Sequence, residues 1–199
     1  MPRLKQYDHK DALARAMERF WAQGYYATSI DDLVRATGVS RHGLYAEFGD
    51  KRGLFVAVME TYCATVVTPA FARVEAEGAG LSDIRAYFDT QIGLAVAKGL
   101  PGPGCLIANT MTESGPHDEA FAALVRRHLE RLDAGFRNAL RGACSRRRRT
   151  DAADVDSLAR FLTIAAQGLW SVSRVTPEPG PLRAFVDDLL RPIEERLAA

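Results

Sequence analysis

The stretch TSIDDLVRATGVSRHGLYAEFGDKRG, residues 28–53, decides the fold. It reads as two short helices joined by a tight turn, with a third starting at once. Thr28 and Ser29 each stand three residues ahead of an aspartate, Asp31 and Asp32. That spacing lets a hydroxyl cap a free backbone N–H and puts carboxylates at the positive end of a helix. Ile30, Leu33 and Val34 recur at helical spacing. Gly38 supplies the left-handed residue that ends the helix, Val39 fills the turn, and Ser40 caps the next helix. Leu44 and Phe48, four residues apart, form its inward face, leaving Arg41, His42, Tyr45 and Ala46 outward. Two short helices held at a fixed angle have one common use: the first braces the second, and the second enters the major groove of DNA.

The pattern extends from Asp8 to Tyr62. It includes Ala16, Phe20, Gly24, Ala27-Thr28-Ser29-Ile30, Leu33, Ala36, Gly38-Val39-Ser40, Leu44-Tyr45, Phe48, Lys51 and Leu54-Phe55. In these residues the chain resembles the tetracycline-repressor (TetR) family of bacterial transcriptional regulators. The resemblance implies an all-α protein. An N-terminal three-helix, helix-turn-helix DNA-binding domain (residues 1–53) would precede a larger helical bundle for ligand binding and dimerisation (residues 54–199). The implied function is a ligand-responsive regulator, a repressor released from its operator by a small molecule or by thiol modification. The implied partners are double-stranded DNA with a near-palindromic operator, a largely apolar effector and a second copy of the chain. In such a dimer the recognition helices stand about 34–36 Å apart, or somewhat more.

By the same resemblance Tyr45 lays its ring on the duplex backbone and gives its hydroxyl to a phosphate, while Lys51 and Thr28 meet other phosphates. The plain alternative is a half-buried Tyr45 and a solvated Lys51. Arg41 and His42, near the start of the recognition helix, are candidate base readers, with phosphate contact as the alternative. Ser40 and Gly43 complete the set. His42-Gly43 departs from the family pattern, which has a small residue followed by Ser or Thr before Leu-Tyr. A hydroxyl that touches DNA is absent and an imidazole is added.

Composition is that of an ordinary globular chain: 199 residues, 47% hydrophobic, 26% charged, formal net charge +1. The overall charge does not announce a nucleic-acid binder, but Arg3, Lys5, Lys10, Arg35, Arg41, Lys51 and Arg52 concentrate in the first quarter. No apolar run approaches the ~20 residues that span a bilayer, and Met1 to Lys5 lacks the apolar stretch of a signal peptide. A cytoplasmic protein without membrane contact is expected. Cys63, Cys105 and Cys144 fit neither a zinc pattern nor a disulfide framework. His9, His117 and His128 lack metal-ligand spacing. No metal or cofactor is expected, and no enzyme activity.

About nine helices follow from the periodicity. The first spans 8–24, with the second and third in the opening stretch. A fourth starts after Asp50 and is kinked or shortened by Pro69. The others span 82–98, 105–113, 116–144, 151–175 and 181–197. The eighth and ninth carry more apolar surface than one core needs, which suits dimerisation through this pair. The effector pocket is expected among the fourth to eighth helices. Its candidates are Tyr62, Phe88, Gln91, Ile92, Cys105, Asn109, Met111, Phe121, Leu124, Gln167 and Trp170; Glu113, His128 and Arg174 are the charged or titratable groups able to face inward. Cys105 begins a helix, where thiolate is stabilised, so it is either a redox or electrophile sensor or a packing residue. Arg146 to Arg149 reads as a solvated basic loop. Two further function classes remain: a small thiol enzyme using Cys105 with His117 or His128, and a constitutive DNA-binding protein.

Overall fold

Asp8 begins the first helix by accepting the backbone N–H groups of Lys10 and Asp11. The computed structural model describes residues 8–145 and 152–198. The first helix, α1 (His9–Gln23), buries Ala12, Leu13, Ala16 and Phe20 on one stripe. In α2 (Ile30–Thr37) Ser29 and Asp32 form a reciprocal capping box. Gly38 then takes the left-handed conformation, φ 71°, that turns the chain into α3 (Arg41–Phe48). Ser40 caps α3 through the Gly43 N–H, and Leu44 is its buried anchor. Together α1, α2 and α3 make the small head read from the sequence.

Asp50 caps α4 (Lys51–Tyr62) by accepting the Gly53 N–H. The helix does not end at Pro69. It passes through a π-helical turn, Cys63–Val67, into α5 (Thr68–Glu75). Pro69 has no N–H and its ring would strike the carbonyl one turn earlier. The wider turn, in which the Thr68 N–H reaches the Cys63 carbonyl, accommodates the ring without breaking the rod. Among the described residues this rod, Lys51–Glu75, has the length and hydropathy of a membrane-crossing helix. Glu60 is its only charge between Gly53 and Ala72, so the expectation that no apolar stretch approaches that length does not hold for it. Its apolar side, including Leu54, Phe55, Val58, Met59, Phe71 and Val74, is buried inside the protein, with α1, α6 and α8 as neighbours.

The body continues with α6 (Leu81–Lys98), α7 (Leu106–Glu113), a 3₁₀ turn (Gly115–His117), α8 (Glu119–Ser145), α9 (Ala152–Val172) and α10 (Pro179–Ala198). The described residues contain no strand. The seventh predicted helix starts later than read, because residues 115–117 take the tighter turn and Asp118 accepts the Ala120 and Phe121 N–H groups that open α8.

Two aromatic clusters hold the layers together. Phe20, Tyr25, Phe55 and Phe121 meet with ring centroids 4.8–6.2 Å apart and tie α1 and α4 to α8. Phe71, Tyr87, Phe88, Phe136 and Trp170 do the same for α5, α6, α8 and α9. Truncating a fully buried ring such as Phe55 or Phe88 to alanine would cost about 3–5 kcal/mol.

Candidate nucleic-acid interface and ligand cavity

The outward face of α3 presents Arg41, His42, Tyr45 and Ala46, all exposed. Tyr45 stands clear of the core with 39% of its surface accessible, so ring and hydroxyl are both available. Arg41 is already engaged: its guanidinium lies 2.7 Å from Asp31 on α2. Gly43 has a packing reason. A Cβ there would come within 2.9 Å of Val39 Cγ1, so the small residue lets α3 sit close to its own turn.

Two expected phosphate contacts are placed differently. Thr28 is fully buried, and its hydroxyl donates to the Gly24 carbonyl at 2.7 Å. The hydroxyl closes the turn between α1 and α2 rather than facing outward. Lys51 is half-buried, with its ammonium 4.4 Å from the centroid of the Tyr25 ring. Burial lowers its pKa, against the opposing pull of Glu113. To meet a phosphate it would leave a cation–π contact.

A cavity of about 310 Å³ opens between α1, the α4–α5 rod, α6, the loop at 99–105, α8 and α9. Of the residues expected to line or face a pocket, Tyr62, Gln91, Cys105, His128 and Trp170 do so. The other candidates lie elsewhere. Phe88 and Ile92 are fully buried, Phe88 within the second aromatic cluster; Phe121 belongs to the cluster joining head and body. Leu124 is core and Met111 packs against it. The Asn109 side-chain amide donates to the Pro103 carbonyl at 2.9 Å and pins the loop before α7. Gln167 is buried on α9, and its amide has no hydrogen-bond partner among the described residues.

The sequence reading missed Trp21, Tyr87, Leu94 and Lys98 as cavity residues. Trp21 matters most, because it lies on α1, a helix assigned wholly to the head. Its indole N–H donates to the Gly104 carbonyl at 2.9 Å, and its ring meets Tyr62 edge-on at 5.0 Å. No sequence signal marks it, since it falls just off the buried stripe of α1.

The wall is mostly apolar, with the exposed Glu18 and Lys98 as its charged side chains. Burial, aided by the nearby Arg131 cation, pushes His128 down to about 4. Burial pushes Tyr87 up; its hydroxyl accepts the Trp170 indole N–H at 3.3 Å. Cys105 was expected to be acidified by the start of α7. Burial instead raises its pKa, outweighing the Ala108 N–H, the Tyr62 hydroxyl and the Ile107 N–H that would stabilise a thiolate. Burial of Cys105 therefore works against the thiolate that a thiol nucleophile requires.

Away from the core, α9 exposes Phe161, Ile164 and Val172, with Ile164 72% accessible, and α10 exposes Phe185. Their other apolar residues, such as Leu162, Leu169, Val186 and Leu190, are buried in the core. The basic run at 146–149 and Arg3 and Lys5 lie outside the described residues.

Residues 12–58 match the family described as bacterial regulatory proteins, tetR family, and residues 80–189 match the tetracyclin repressor-like C-terminal domain. Among curated proteins the chain is 35% identical over 171 residues to the HTH-type transcriptional repressor ComR of Escherichia coli (strain K12), covering 84% of this chain and 80% of ComR. It is 31% identical over 188 residues to the HTH-type transcriptional regulator YezE of Bacillus subtilis (strain 168), covering 94% and 96%. Among solved structures, the TetR family regulator CifR, a cysteine mutant complexed with 26-base-pair operator DNA, superposes with a TM-score of 0.81 at 23% identity, covering 95% of this chain and 98% of CifR.

Proposed function

The chain belongs to the TetR family of bacterial regulatory proteins, and from that premise we propose that it is a dimeric operator-binding repressor released when an uncharged, largely apolar ligand fills the cavity beside Trp21. One observation carries the reading: the cavity is roofed by the head itself, since Trp21 and its neighbour Ala22 on α1 line it together with body residues. An occupant therefore touches both parts of the molecule. It shifts the head only as far as its affinity differs between two head positions.

On this reading Tyr45 and, after leaving Tyr25, Lys51 contact phosphates, while Arg41 and His42 meet base edges. Residues 1–53 act as the DNA-binding unit, with α1 shared between that unit and the cavity. The exposed faces of α9 and α10 pair with a second copy. The protein works where its operator is, in the cytoplasm. An uncharged ligand is favoured by the mostly apolar lining and by the buried His128, Tyr87 and Cys105, with Glu18 and Lys98 as the exposed charged groups of the wall.

A second trigger is favoured by Cys105 itself. It lines the cavity beside the Tyr62 hydroxyl, so an electrophilic ligand such as an α,β-unsaturated carbonyl that reaches it is captured by addition of the thiolate to its β-carbon, the α-carbon then taking a proton.

Gel-shift on DNA upstream of the protein's own coding sequence tests the reading. Expected are specific, salt-sensitive binding to a near-palindromic site and loss of the shift with uncharged apolar compounds. Absence of binding at low salt overturns it.

A further inference from the structure

Glu113, the last residue of α7, holds the head by its backbone. One carboxylate oxygen accepts the Tyr25 N–H at 3.0 Å and the other accepts the Tyr26 N–H at 2.8 Å. Both amides lie in the turn between α1 and α2, outside either helix. A carboxylate that takes one N–H on each oxygen fixes orientation as well as distance, and its charge strengthens both bonds.

The turn is shaped around this group. Gly24 has φ +86°, and a Cβ there would lie 2.6–2.9 Å from the Glu113 carboxylate. Tyr25, whose N–H is held, packs its ring against Phe55 of α4 and Phe121 of α8. Head and body also meet at Trp21 with Gly104. Lys98 of α6 also lies 5.5 Å from the Trp21 ring centroid, and a further polar tie, Arg52 to Asp118 at 2.5 and 3.0 Å, runs from α4 to the start of α8.

We propose that Glu113 sets the angle at which the head stands on the body, and so the half-site separation that the dimer selects on DNA. The proposal rests on the operator-dimer reading above. Glu113 is a positioning residue: in a dimer with rigid heads, the angle of each head fixes the distance between recognition helices, and a head freed at this turn samples a range of distances.

The test uses the full chain and a set of synthetic palindromes whose half-sites are separated by zero to several added base pairs. The wild type should show one preferred separation. Glu113→Gln keeps one acceptor but sets an amide N–H₂ against a backbone N–H. It should broaden the preference and weaken binding at the preferred separation by about tenfold, while binding to random DNA stays unchanged. Amide hydrogen exchange at Tyr25 and Tyr26 should quicken. Glu113→Asp, which keeps the charge but retracts it, should lie between the two, and it serves if the Gln variant does not fold. A wild-type optimum that both variants retain, with exchange at Tyr25 and Tyr26 unaltered, overturns the proposal alone. A wild type that binds all separations equally overturns the operator-dimer reading and the proposal with it.

Discussion

Arg41, the first residue of the recognition helix, is held 2.7 Å from Asp31 on the helix that braces it. The leading cation of the outward face of α3 is thus paired within the protein. On the function proposed above, DNA competes with Asp31 for it.

Replacing Asp31 with alanine should release Arg41 and remove a negative charge from the approach to DNA. Binding to all sequences should tighten several-fold, and the discrimination between operator and random DNA should shrink. Fluorescence-anisotropy titration with both DNAs at two salt concentrations checks this. Unchanged discrimination would mean that the Asp31 pair plays no part in selection.

His42 and Tyr45 lie on the same face and should separate cleanly. Tyr45→Phe deletes a hydroxyl available to a phosphate and should weaken binding to every sequence by about tenfold. His42→Ala should instead change which bases are preferred. Selection from a randomised operator library reads both at once; parallel losses across the library would refute the division.

His128 should give acid sensitivity of known sign. Its folded pKa, about 4, lies below the ordinary 6.5. The unfolded chain therefore takes up a proton first as pH falls. Stability conferred by the buried neutral ring is fully present above about 6.5, declines below it, and levels off under about 4. The whole effect is bounded at about 3 kcal/mol. Urea unfolding across that range should show the loss in the wild type and a shallower one in His128→Gln. Identical slopes would show that carboxylates alone account for acid unfolding.

Cys105 should react slowly. Burial raises the pKa of both thiols, but Cys105 is buried whereas Cys63 is partly accessible. Iodoacetamide at neutral pH should label Cys63 first, with Cys105 catching up only in alkali. The raised pKa also means that the stability this thiol confers is present below the unfolded value near 8.5 and lost as pH rises through the folded one. Peptide mass spectrometry over time decides the order; early labelling of Cys105 would restore it as the fast sensor.

Local signals carried the head, while the cavity escaped them. The Ser29–Asp32 box, Gly38 and the Leu44–Phe48 spacing each act within a few residues, so the sequence displays them directly. Thr28 shows the limit even there. Its hydroxyl turns inward to Gly24 because the α1–α2 turn needs a donor, and a resemblance between sequences does not reveal that. In the body, periodicity distinguishes buried from exposed but not a wall from a core. Phe88 and Tyr87 are neighbours and both are buried, yet only Tyr87 borders the space. Pro69 was expected to kink or shorten the fourth helix, because the wider π turn that accommodates it is a backbone adjustment with no residue code of its own.

The chain contains two tryptophans. Trp21 borders the cavity from the head and Trp170 borders it from α9. Their emission therefore comes from the space that a ligand would occupy, with no other indole to dilute it. Any compound that enters displaces or replaces the surroundings of both rings, and one that moves the head also changes the separation between two emitters on different parts of the molecule. The protein carries its own optical reporter, so compounds can be screened against it without a label and without knowing the operator.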